Sequence, residues 1–162
     1  MTLCNRCQQT GLIQINAASA RGVIYVPLHH PEHAMSYYFA KTLPVGFDEA
    51  VRRATEALKQ QGFGIITEID VTQTLKAKIG VDFRKYRILG ACNPKLAHEA
   101  LQVEDKIGTM LPCNVVVQDV GGNKTEIAAI DPVASMEAVD NARLKQAAQH
   151  VQSLLRQVID AL

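Results

Sequence analysis

The sequence predicts an α+β two-layer sandwich, a small, mostly antiparallel or mixed sheet of about five strands covered on one face by helices. Three observations carry this prediction. Strand-like runs alternate with helix-period segments from Met35 onward. Gly121-Gly122-Asn123 separates two strand-like runs as a hairpin turn, and a long apolar stripe closes the chain. The expected order is β-α-β-α-β-α-β-β-α in one domain, residues 35–162.

The aromatic run Tyr37-Tyr38-Phe39 places the first strand within 35–43. A helix follows over 47–61, because Phe47, Val51, Ala54 and Leu58 recur at helical spacing. Asp48 and Glu49 favour its first turn, where the helix dipole welcomes negative charge, and Gly62 supplies the stop. Alternation predicts a strand over 63–69, with Phe63, Ile65, Thr67 and Ile69 on one face and Glu68 and Asp70 on a solvated one. Gln73 to Ile79 forms a short helix closed by Gly80, and 85–92 forms the third strand. Asn93 caps a helix opened by Pro94 and running to about Val103. Cys113 to about Val120 and Thr125 to Ile130 make the hairpin, and Asp131-Pro132 starts the turn towards the last helix. From Asp140, Leu144, Ala148, Val151, Leu155, Val158 and Leu162 step by four and three. That seam suits a helix lying on the sheet, or one whose end also meets a second subunit.

Residues 1–34 show none of this regularity and are expected to be a poorly ordered N-terminal arm. The arm holds a Cys-x-x-Cys, Cys4 to Cys7, with His29 and His33 further on. A zinc finger wants about 12–15 residues between its ligand pairs. Here the gap is longer, and Pro27 and Pro31 interrupt any ligand-bearing helix, so Cys4 and Cys7 rank lowest as metal ligands.

Composition excludes several functions. Seventeen basic and sixteen acidic residues leave a net charge of +1, which provides no electrostatic footprint for nucleic acid or an anionic membrane. No apolar run reaches the length of about 18 residues that a membrane helix needs. Gly-x-Gly-x-x-Gly, Walker and Gly-x-Ser-x-Gly motifs are absent.

Chemistry concentrates at two cysteines. Cys92 closes a strand two residues before a helix start, where partial positive charge lowers a thiol pKa. It is the candidate nucleophile or redox thiol, with Cys113 as resolving thiol and His98, one turn along that helix, as candidate base. Cys113 shares a strand face with Val115 and Val117. If the two strands are neighbours, Cys92, Asn93, Pro94, Cys113 and Asn114, with Met110 nearby, form a pocket. Such a pocket suits a small ligand, a soft metal such as copper(I) or zinc, or a sulfane-sulfur species. Against this stands simple packing, since free cysteines behave as small hydrophobes. His150 falls on the polar side of the last helix.

The segments Ile88-Leu-Gly-Ala-Cys-Asn-Pro94 and Leu111-Pro-Cys-Asn-Val-Val-Val117, with Phe47-Asp48-Glu49-Ala50, Gly62-Phe63-Gly64 and Asp131-Pro132, resemble the bacterial domain-of-unknown-function family 302. The resemblance runs from residue 35 to about 160. It implies a small cytoplasmic α+β protein that forms a homodimer, and it implies Met35 as the initiator. It brings no established activity, and only a loose association with sulfur-oxidising bacteria. The functional expectation is therefore a cytoplasmic binding module with a Cys/Asn pocket, the alternative being a thiol-dependent enzyme.

Overall fold

The computed structural model describes residues 36–162. The arm, with Cys4 and Cys7, lies outside them. The elements are β1 (Tyr38–Leu43), α1 (Phe47–Gln60), β2 (Gly64–Asp70), α2 (Val71–Ile79), β3 (Tyr86–Cys92), α3 (Pro94–Val103), a 3-10 turn (Asp105–Met110), β4 (Cys113–Gly121), β5 (Lys124–Ile130), α4 (Pro132–Ser135) and α5 (Ala142–Ala161). The strands form one antiparallel sheet in the order β1-β5-β4-β3-β2. The predicted α+β class and strand count hold.

Period-two alternation decides which face of the sheet is covered. Leu89, Val115, Val117, Ile127 and Ala129 are buried on one face, beneath α1 and α5. The opposite, open face carries Ile69, Ile88, Val116 and Ala128, which are less buried than their covered-face neighbours. The α1 stripe buries Phe47, Ala50, Ala54 and Leu58, as its spacing predicts. The α5 seam has the same explanation. Leu144, Ala148, Leu155 and Val158 are buried within this chain, Leu155 and Val158 in the core under the sheet and Leu144 and Ala148 beside α3 and the α4 region.

The hairpin turns on Gly122 and Asn123, whose φ angles of 61° and 55° need residues that tolerate the left-handed region. Just past this turn, the Thr125 hydroxyl is wholly buried and donates to the Val45 carbonyl at 3.0 Å. That bond ties the β1–α1 connection to the start of β5, where Thr125 pairs with Leu43.

Two expectations for β2 are corrected. A bulge between Ile65 and Thr67 shifts the register against β3, so Ile65 pairs with Ala91 on the covered side while Thr67 pairs with Gly90 on the open side. The uniform alternation predicted for 63–69 is therefore broken. Glu68 and Asp70 are also more than a solvated face: they sit 3.1 and 3.7 Å from the Arg87 guanidinium, which lies 5.4 Å from the Phe47 ring centre. Asp70 additionally caps α2 through the Gln73 N–H. The one-turn α4 and the 3-10 segment were not predicted. Both are too short to show a period. Asp131 caps α4 by accepting from the Val133 and Ala134 N–H groups, and its carboxylate receives Gln152 Nε2 at 2.9 Å.

Candidate functional site

The site grows from the shared end of β3 and β4. Ala91 pairs with Cys113 across the ladder, so Cys92 stands one residue beyond that pair. Asn93 is extended (φ −95°, ψ 107°) and turns the chain into α3. Its carbonyl accepts from the Ala97 N–H at 3.0 Å and its side-chain oxygen from the Leu96 N–H at 3.3 Å, while Pro94 occupies the first turn, where its missing N–H is harmless. Gly62, at φ 78°, ends α1 against this cap: a Cβ there would come within 3.1 Å of Asn93 Nδ2. The expected Asn-Pro start is therefore what positions Cys92.

The end of the sheet, α3, the α4 region and α5 frame a half-open cavity of about 50 Å³. Cys92, Asn93 and Cys113 line it with Met136, and the rest of the wall is apolar, including Phe63, Leu96, Leu111 and Val151. Strands β3 and β4 are neighbours, as the pocket hypothesis required. Both cysteines are free thiols.

Electrostatics run opposite to the expectation of a lowered thiol pKa at a helix start. Burial pushes the Cys92 thiol up. Burial, with the neighbouring Cys92 adding to it, pushes Cys113 up to about 11. Beside an apolar wall a thiolate loses hydration, and the side chain of Asn93 already occupies the Leu96 N–H of the helix start. The pair is therefore neutral at physiological pH.

Other predicted site residues lie elsewhere. Asn114 pairs with Gly90 and is exposed on the open face, because alternation turns it away from Cys113. Pro94 shapes α3 and does not line the cavity. His98 faces a separate surface groove between α3 and α5, shared with His150, so it is not placed as a base for Cys92. Met110, 40% exposed, is outside the cavity as well. The residue that sequence reasoning missed is Met136, which follows a one-turn helix and carries no periodic signal linking it to Cys92.

The family model described as "Domain of unknown function DUF302" matches residues 39–162. The chain belongs to the DUF302 family. A solved structure, an uncharacterized conserved DUF302 protein from Bacillus stearothermophilus, is 31% identical and superposes with a TM-score of 0.71. The match covers 78% of this chain and 98% of that one. A comparison with curated proteins finds no match. DUF302 membership thus supports the resemblance and the fold, and the chemistry rests on the cavity. Among the described residues, no helix is long and apolar enough to cross a membrane.

Proposed function

We propose that this DUF302 protein is a binding module that holds a few-atom, soft ligand between Cys92 and Cys113. The observation that carries this reading is the lining that the two cysteines share. Two free thiols from adjacent strands line one apolar cavity of about 50 Å³. Organic ligands of drug size need roughly 300–1,000 Å³, so the room suits a metal ion or a sulfane-sulfur atom. A thiol-dependent enzyme using Cys92, with Cys113 resolving, has less support, because burial holds both thiols protonated. The proposed location is the cytoplasm, where the reducing pool keeps such thiols free. Native mass spectrometry of the protein as isolated, joined to alkylation mapping of each cysteine, tests the proposal. Extra mass carried by the wild type and lost in Cys92→Ser and Cys113→Ser is the expected result. A bare protein whose Cys92 alkylates rapidly below pH 7 overturns it in favour of thiol catalysis.

We infer that a second copy covers the open sheet face, where Ile88, Val116 and Ala128 are half-buried and Ile69 is 48% exposed. Five strands about 4.8 Å apart and about seven residues long offer roughly 500 Å² per copy. Two such faces reach the roughly 1,000 Å² that a specific interface needs. Sedimentation should give a dimer that Val116→Lys converts to monomer; a wild-type monomer at micromolar concentration defeats this reading.

A further inference from the structure

We propose that the cavity is a cuprous-ion site with three sulfur donors, Cys92, Cys113 and Met136. This rests on the reading of the cavity as a soft-ligand site and deepens it by naming the ion and a third ligand. All three sulfur-bearing residues line one small cavity, although they come from β3, β4 and the segment after α4. The remaining wall is almost entirely apolar, so sulfur is the donor chemistry on offer. Thiolate and thioether are soft donors that select copper(I), which accepts two or three ligands.

Zinc is the poorer fit. A structural zinc site wants four donors of thiolate, imidazole or carboxylate type. Among the described residues, no group of three or more His, Cys, Asp and Glu is placed to hold a metal. Met136 does not help zinc, whereas its uncharged thioether can complete a three-coordinate cuprous site in an apolar cavity.

Binding is a ligand exchange with no redox step. Two S–H bonds give their protons to solvent or buffer, two Cu–S(thiolate) bonds and one Cu–S(thioether) bond form, and copper stays cuprous. The complex of one Cu⁺ with two thiolates carries one negative charge. The start of α3, one residue past Asn93, supplies partial positive charge beside it.

The test is titration of the full chain with copper(I) held by a competing chromogenic chelator under anaerobic conditions, with X-ray absorption counting Cu–S bonds. One ion per chain with three Cu–S bonds is expected for the wild type. Met136→Leu, close to volume-conserving, should keep the fold, lose one Cu–S bond and weaken binding by about tenfold or more. The Cys92→Ser/Cys113→Ser variant should lose the site. Copper bound through both cysteines but unchanged in Met136→Leu overturns the three-sulfur site while leaving the soft-ligand cavity standing. Failure of the wild type to take copper from the chelator, or zinc outcompeting it, overturns the cuprous assignment. The mass carried by the isolated protein then judges the cavity separately.

Discussion

Ala91 and Cys113 face each other across the β3–β4 ladder, and this pairing brings Cys92 to the same cavity as Cys113. The contact has a consequence in alkali. A thiol whose folded pKa is raised to about 11 from 9.0 stays protonated while the unfolded chain ionises. Between those values the unfolded state binds fewer protons, so stability falls as pH rises and is unaffected below about pH 8. A shift of about two units corresponds to roughly 2–3 kcal/mol at most. Urea unfolding at pH 8 and at pH 10.5 should show the loss in wild type and a smaller one in Cys113→Ala. Equal losses would show that Cys113 is not the group responsible.

The same burial governs reactivity. Cys92 and Cys113 should react slowly with iodoacetamide at pH 7, and the rate should climb about tenfold per pH unit as thiolate forms. Cys113, which is more buried, should lag behind Cys92 throughout. Peptide mapping of the alkylated protein reads both rates. A plateau for Cys92 below pH 7 would contradict the neutral-thiol site.

Gly90 has no room for a side chain. A Cβ there would come within 2.8 Å of Pro112 Cγ and would collide with the Thr67 hydroxyl. Gly90→Ala should cost about 1–3 kcal/mol, as overpacking does. Adding Thr67→Ala should recover part of it, giving a coupling of at least about 0.5 kcal/mol in a double-mutant cycle. Strict additivity would mean that the strand shifts bodily instead.

Asn93→Ala removes the bond from the Leu96 N–H and should lower stability by about 1 kcal/mol. Asn93→Asp should retain most of it, since a carboxylate also caps. Chemical denaturation of the three proteins checks this. An alanine variant as stable as wild type would mean that water replaces the cap fully.

Much of this fold was legible because its signals are local. Asn93-Pro94 announces a helix start, Gly122-Asn123 meets a positive-φ demand, and the α1 and α5 stripes follow one period over several turns. The bulge after Ile65 was not legible, since one extra residue leaves no mark in composition and reverses every side chain beyond it. Glu68 and Asp70 looked solvated for the same reason: their partner Arg87 lies on another strand. At the candidate site, Cys92 and Cys113 were found from strand ends. Asn114 was misplaced although alternation already sets it opposite Cys113. Met136 joins them only through the tertiary fold, and so does the sign of the thiol pKa shifts, which depends on what roofs the cavity.

Thr125 has a meaning for assembly of the sheet. Sliding β1 by one position along β5 would break the hydroxyl's bond to Val45, turn Leu43 out of the oily layer under α1 and α5 and bring the polar Thr42 into it. The hydroxyl therefore acts as a proofreading mark, rewarding one alignment of the first strand and penalising its nearest competitors. The strand it checks is made early in the chain but joins the sheet beside β5, which is made late.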